Sequence, residues 1–586
     1  MVRVQRPLTE KIPDHLLPYI AKQDASLYTA IDHASWRYIL RVSKAYFKDH
    51  AHQKYLDGLK ETGISTERIP LIEEMDQCLR RFGWRAVAVS GFIPPAVFLE
   101  FQSLGIMPIA CEMRTLEHLA YTPAPDIVHE AAGHAPIVAD PEYAEYLRSY
   151  GEVSRKAIFS KEDMTLYEAI RDLSDIKEDP RSTEAEIQAC QKRLDQAVAS
   201  ITYVSEAACL ARMGWWTIEY GLVGKKDSKI YGAGLLSSVG ESYHCLSDEV
   251  KKIPLSLACI NTSYDITRPQ PQLFVAEDFQ SLANVLKEFT PSMAYKQGGV
   301  VGLAKALAAE YVATVELDSG VQISGVLTHY KSGGKKDKAT FLKFTGPVQL
   351  ALHDEELPNQ GPSYHQHGFS APIGKVSGLN KSPADLTPKD LESLGFQSGQ
   401  KGKMTFESGI ELEGKLKDVV RRKDQNLVLV FDPCTIRNGN ETLYQPDWGP
   451  FDLACGVEVV SVFGGAADRA AYLKATGGYG QKPRAPKTNL TQTNRELTDL
   501  YARVRTIREA KKDAKTTLDQ LDPIVKELDQ KFPQDWLLRL EIVEINHTLK
   551  MNAPWDKSLR ASLSEISKTA KDKSEMIARG LELCRG

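Results

Sequence analysis

The chain has 586 residues, a formal net charge of −4, and 42% apolar against 26% charged residues, the balance of a globular protein with about three or four domains. So small a net charge gives no electrostatic reason for a nucleic acid or an anionic membrane as partner, and no run approaches the roughly 18 apolar residues of a spanning helix. The opening stretch, Met1 to Pro7, has no apolar leader core, so a cytoplasmic location is expected.

Nine cysteines are scattered with no C-x-x-C pair, which argues against a disulfide framework or a structural zinc knuckle. Residues 1–298 read as mainly helical, with apolar positions at helical spacing in Trp36, Ile39, Leu40 and Val42 and again in Leu71, Ile72, Met75 and Leu79. Breaks fall at Pro13, Pro70, Pro94-Pro95 and Pro123-Pro125. After the rigid turn Thr122-Pro123-Ala124-Pro125-Asp126 comes His129-Glu130-Ala131-Ala132-Gly133-His134, with two imidazoles five positions apart. On an ideal α-helix that step turns the rings about 140° from one another. They converge only where the helix ends or bends, which Gly133 and Pro136 allow.

Residues 155–200 are dense in charge and read as two exposed helices forming an insertion, the second leading into a helix whose apolar stripe is Ala208, Ala211, Trp215, Ile218 and Leu222. Glu219 interrupts that stripe, and an acid on a buried face must be paired or bound to a metal. Two neutral imidazoles and one distant carboxylate make a metal site with open coordination positions, so His129, His134 and Glu219 are the candidate ligands. A zinc hydrolase with Glu130 as general base is an alternative, against which the five-residue step speaks, because zinc peptidase helices space their histidines by four. Gly232-Ala233-Gly234 is not a dinucleotide fingerprint, since Ser237 stands at the third glycine position.

Near residue 299 the period changes. Residues 299–465 are β-rich and duplicated: Leu317-Asp318-Ser319-Gly320 and the residues after it parallel Phe406-Glu407-Ser408-Gly409 and its sequel, which predicts two related small barrels. His353, His365 and His367 near Asp354-Glu355-Glu356 read as an exposed polar loop. Residues 466–489 are expected to be a linker. Residues 490–586, with Leu497, Leu500, Val504 and Ile507, form a helical C-terminal domain that either packs as an appendage or supports a homo-oligomer.

Residues 25–295 resemble the pterin-dependent aromatic amino acid hydroxylases, with the bacterial phenylalanine hydroxylases as the nearest likeness. The resemblance is carried by Tyr28 to Trp36, Gly91-Phe92-Ile93-Pro94-Pro95, Tyr121 to Ile127, the two-histidine segment, Trp216 to Leu222, and Tyr231 to Ser238. It implies a mainly α catalytic domain of the hydroxylase type, followed by the duplicated β-rich region and the helical segment. It also implies that His129, His134 and Glu219 hold Fe(II), with a tetrahydropterin and O2 as cosubstrates and a small aromatic amino acid as substrate.

By the same likeness Arg114 grips the substrate carboxylate beside Thr122 and Ser237, and Trp215 walls the ring pocket. Phe98 stacks on the pterin, Gly91 and Ile93 run along its edge, and Glu130 points toward it. Phenylalanine is the expected substrate, with tyrosine or tryptophan as alternatives. Gly214 and Ala131-Ala132 depart from the animal relatives, and no N-terminal regulatory domain of the animal kind precedes the likeness, so activation by that route is not expected. A binding protein with a decayed hydroxylase domain is the remaining alternative.

Overall fold

Thr29 and Asp32 exchange hydrogen bonds in a reciprocal capping box and so start the first long helix, Ala30–His50. Its Trp36, Ile39, Leu40, Val42 and Phe47 are buried, as their spacing predicts, and the next periodic stretch forms the helix Ile72–Leu79. The computed structural model describes residues 8–9, 11–120, 125–178, 182–266, 268–334, 337–397, 399–477, 492–569 and 571–585.

Residues up to 298 are less uniformly helical than the periodicity suggests. Arg85–Val89 and Ile106–Ala110 pair in parallel, and four short strands, Lys229–Ile230, Leu222–Val223, Gln272–Ala276 and Lys251–Pro254, form a second sheet in that order. Strands of two to five residues are too short to show an alternation. The parallel pair positions the site, because Val89 lies level with Ala110. Ser90-Gly91 and the segment leading to Arg114 therefore leave the same edge side by side.

The charged stretch contains two helices, Lys161–Glu178 and Glu184–Ala199, which bury Ala169, Leu173, Leu194 and Ala197 in a small core of their own. The second does not run into the Glu219 helix. A separate helix, Glu206–Gly214, starts at the Ser205 cap and stops at Gly214. Leu222 consequently lies in a strand and Ala211 is exposed, so the five-residue stripe read from the sequence is not one helical face.

In the β-rich region, Val312–Leu317, Val321–Gly333 and Lys338–Leu352 form an antiparallel meander that Gly402–Thr405, Ile410–Arg422 and Gln425–Asn438 repeat. Gly320 and Gly409 turn the corresponding hairpins at φ of +86° and +84°, a region glycine enters without penalty. Among the described residues these strands belong to a six-stranded and a five-stranded sheet, one for each copy of the repeat. Val459–Gly464 returns from far along the chain to pair antiparallel with Val312–Leu317. A helix, Gly299–Ala309, precedes the strands and buries Leu303, Ala306 and Ala309 in the first sheet's core. The expected linker likewise begins with structure, the helix Arg469–Thr476 capped by Asp468; residues 478–489 lie outside the described residues. All nine cysteines are free thiols.

The C-terminal helices Gln492–Ala510, Ala514–Lys531, Leu537–Leu549, Asp556–Ile566 and Lys571–Glu582 share one apolar core with Ala30–His50. Glu541 lies between Arg37, at 2.5 Å, and Arg508, at 3.1 Å, and is 5% exposed. Removing one partner of so buried a cluster leaves uncompensated charge, at a cost of about 3–5 kcal/mol. Glu541→Ala is therefore expected to lower the denaturant midpoint followed by circular dichroism by a corresponding amount. An unchanged midpoint would show that the cluster does not hold the C-terminal helices to the N-terminal domain.

Candidate metal centre

Two widened helical turns build the site. Val128–His134 is a π-helix in which Ala135 N–H reaches back five residues to Glu130 O, and Trp215–Glu219 is a second, closed by Tyr220 N–H to Trp215 O at 2.8 Å. The i→i+5 hydrogen bonding of a π-turn places residues five apart above one another. This is how His129 and His134 meet, and it replaces the bend at Gly133 and Pro136 that the sequence suggests. Their Nε2 atoms are 3.1 Å apart.

Glu219 completes the triangle, with Oε2 3.3 Å from His129 Nε2 and Oε1 3.3 Å from His134 Nε2. Three ligand atoms bound at about 2.1 Å and at right angles to one another would be about 3.0 Å apart, so the three side chains can share a single divalent cation. The side chains of Glu219 and His129 keep 24% and 16% of their surface exposed, which leaves one face of the triangle open. Among the described residues Glu130 also joins the cluster, with ligand atoms all within 4.8 Å, but its nearest approach to His134 is 4.0 Å. Glu219 is therefore the better third ligand. His353, His365 and His367 belong to no such cluster among the described residues; His365 is buried against Gln360 Oε1 at 2.8 Å.

The glycines explain why these turns can approach one another. A Cβ on Gly133 would meet Ala233 O at 2.6 Å, and one on Gly232 would meet Glu219 O at 2.5 Å. The stretch Gly232-Ala233-Gly234 is thus a close-packing device at the start of the helix Ala233–Ser237. That helix carries Ser237, whose Oγ donates to Ala233 O at 2.8 Å and so accepts the Nδ1–H of His129 at 3.0 Å. The arrangement fixes the tautomer that presents the Nε2 lone pair to a metal. A Cβ on Gly214 would lie 2.5 Å from Tyr150 Oη, so Tyr150 occupies the space beside Gly214.

Arg114 is 2% exposed. Its Nε and one terminal nitrogen each donate to Asp126 at 2.8 Å, and its other terminal nitrogen donates to Ser237 O at 2.9 Å. Asp126 also accepts the backbone N–H groups of Arg114 and His129, both at 3.0 Å. Burial alone would raise its carboxyl pKa, but Arg114 and these donors outweigh burial and hold it below the ordinary value. Glu219 follows the same pattern, since burial works against its charge and the two imidazoles more than offset that, so its pKa is low. Glu130 differs. Burial is the largest influence and pushes its carboxyl up to about 8, and Oε2 has no hydrogen-bond partner.

Trp215 stacks on Tyr264 at 4.3 Å and on Tyr220 at 4.5 Å. Gly91, at φ +65°, donates its N–H to Glu112 Oε1 at 3.1 Å, on the segment that continues to Arg114. Ile93 packs at the edge of the small core of Val87, Val97 and Phe101, and Phe98 is half-buried on the helix Pro95–Ser103. Thr122 lies outside the described residues. Sequence reading assigned no role to Asp126, although an acid three positions before a candidate ligand is a readable cue, or to Tyr264, for which no local cue exists.

Residues 18–164 and 192–298 match the family described as biopterin-dependent aromatic amino acid hydroxylase. The phenylalanine-4-hydroxylase of Pseudomonas aeruginosa is 32% identical over 264 residues, covering 44% of this chain and 84% of the relative. The chain belongs to the biopterin-dependent aromatic amino acid hydroxylases. The phenylalanine-4-hydroxylase of Ralstonia nicotianae is 30% identical over 278 residues, covering 47% of this chain and 75% of that enzyme. The solved Chromobacterium violaceum phenylalanine hydroxylase with bound oxidized Fe(III) is 26% identical and covers 48% of this chain and 92% of its own, with a TM-score of 0.37. The hydroxylase match is interrupted over residues 165–191, inside the helical pair 161–199, and stops before the β-rich region.

Ser237→Ala is expected to leave the fold intact while weakening Fe(II) binding about 10- to 100-fold, measured by anaerobic competition with a chelator. Unchanged affinity would mean that the hydroxyl does not set the His129 ring.

Proposed function

We propose that this hydroxylase is an Fe(II)- and tetrahydropterin-dependent monooxygenase that converts phenylalanine to tyrosine. The observation that carries the reading is the open triangle of His129, His134 and Glu219, two imidazole nitrogens and one carboxylate on a single face. That donor set is the one associated with non-haem Fe(II) oxygenases. It agrees with the names of the relatives. Iron and tetrahydropterin, when bound, supply the electrons that reduce O2 so that one oxygen atom enters the aromatic ring.

The chain's own residues then orient and exclude. Arg114, fixed by Asp126, keeps guanidinium N–H groups for the substrate carboxylate, and a charged hydrogen bond of this kind contributes about 1.5–3 kcal/mol. Trp215, held by Tyr220 and Tyr264, forms the apolar wall against the ring. Ser237 acts through His129 by holding its tautomer. Gly91, Ile93 and Phe98 line the pterin position, and Glu130 faces it. The apolar shell of Val128, Ala131 and Ala132 keeps water from the reacting groups. A free amino acid as substrate requires neither nucleic acid nor membrane, and we place the reaction in the cytoplasm.

The test is anaerobic loading with Fe(II), addition of tetrahydropterin, phenylalanine and air, and chromatographic detection of tyrosine. Tyrosine should form only when all components are present, and Glu219→Ala should retain no stoichiometric iron and reduce product to background. Full turnover in that variant, or turnover without iron, would refute the assignment.

A further inference from the structure

The helix Ala233–Ser237 passes into the helix Val239–His244 through a single extended residue, Ser238, at φ −109° and ψ 112°. With one residue between them, the start of the second helix can shift only by carrying the end of the first with it. That end serves both halves of the site, because Ser237 Oγ meets His129 Nδ1 at 3.0 Å and Ser237 O accepts from Arg114 at 2.9 Å. The connector is also tied to Ala120 O, which accepts from Ser238 Oγ at 3.1 Å and from the Gly240 N–H at 3.3 Å.

A further anchor comes from outside the hydroxylase match. Arg579, on the C-terminal helix Lys571–Glu582, donates from a terminal nitrogen to Val239 O at 2.6 Å. Two guanidinium groups, Arg114 and Arg579, therefore hold carbonyls two positions apart on one connector, and charged donors make the stronger class of hydrogen bond. Arg579 is itself fixed. Its guanidinium lies 4.0 Å from the Tyr243 ring centroid, Tyr243 stacks on Tyr46 of the helix Ala30–His50 at 3.8 Å, and Glu575 pairs with the other terminal nitrogen at 3.1 Å. The side chain is 13% exposed, and a cation over a ring gains as water is removed. One turn of the same helix is docked on Ala30–His50 as well, where Tyr38 Oη donates to Met576 O at 2.8 Å.

We propose that Arg579 is a positioning residue of the hydroxylase centre, by which the C-terminal helices hold the Ser237–Val239 connector and, through Ser237, the His129 ring and the Arg114 guanidinium. It touches neither metal nor substrate. Its effect is confined to the two groups that Ser237 contacts, since Gly91, Ile93 and Phe98 stand on other segments. The C-terminal helices then contribute to the competence of the centre as well as to stability.

The inference rests on the hydroxylase reading of this site, and two readouts on the full chain test it: Fe(II) affinity from anaerobic chelator competition, and the separate KM values of phenylalanine and tetrahydropterin. Arg579→Met should weaken Fe(II) binding and raise the phenylalanine KM, each about fivefold to tenfold, with the tetrahydropterin KM near that of the wild type. Arg579→Lys, which keeps a cation and a donor, should fall between the two. Tyr243→Leu removes the ring against the guanidinium and should move the same two values in the same direction, so the test stands even where Arg579→Met does not fold. Fe(II) affinity equal to the wild type in the folded variants, or a tetrahydropterin KM raised as far as that of phenylalanine, would overturn the proposal. A wild type that makes no tyrosine refutes the hydroxylase reading instead, and the Fe(II) competition still decides the role of Arg579.

Discussion

The structure depends on one local deformation, the π-turn that brings His129 above His134. An α-helix would put the two rings about 140° apart, and no rearrangement of side chains alone would bring Nε2 to within 3.1 Å of its counterpart. The widened turn loses the favoured i→i+4 bonding, and such turns persist where packing holds them. Here the restraint is close backbone contact. Gly133 lies against Ala233, and Gly232 lies against the Glu219 carbonyl, so both π-turns are clamped on the same short helix. Ser237 at the end of that helix then fixes the His129 ring. Close backbone packing therefore places the three candidate ligands together.

A second constraint links metal and substrate positions. Asp126 is buried and accepts from the Arg114 guanidinium, the Arg114 N–H and the His129 N–H. One carboxylate thus sets the orientation of the proposed substrate anchor and the start of the ligand-bearing turn. Its charge is stable only because all these donors are present. A change at Arg114 would consequently disturb the metal centre as well as substrate affinity.

Much of this was readable from the sequence, and the gaps have physical causes. The candidate ligands and the helical pair in residues 155–200 follow from residue chemistry and local pattern, and the family follows from the resemblance of several separate motifs. The π-turns do not, because hydrophobic periodicity in so short a segment cannot distinguish five-residue from four-residue bonding, and Gly133 and Pro136 suggested a bend instead. The strands Arg85–Val89 and Leu222–Val223 are too short and too buried to alternate. The pairing of residues 459–464 with Val312–Leu317 joins segments far apart in the chain and has no local signal. Long-range partners such as Tyr264 on Trp215 leave no local trace.

The parts outside the hydroxylase match each engage it through buried polar contacts, Arg469 with Glu100 on one side and Glu541 with Arg37 on the other. Among the described residues neither part contributes a side chain to the His129–His134 cluster. The central claim is that two imidazoles and one carboxylate share one ferrous ion, and iron-edge X-ray absorption on the Fe(II)-loaded chain tests it most directly. The account expects two imidazole nitrogens and at least one oxygen at about 2.1 Å, with one imidazole lost from the spectrum in His134→Ala. A coordination shell without two imidazoles, or a spectrum unchanged in that variant, would contradict it.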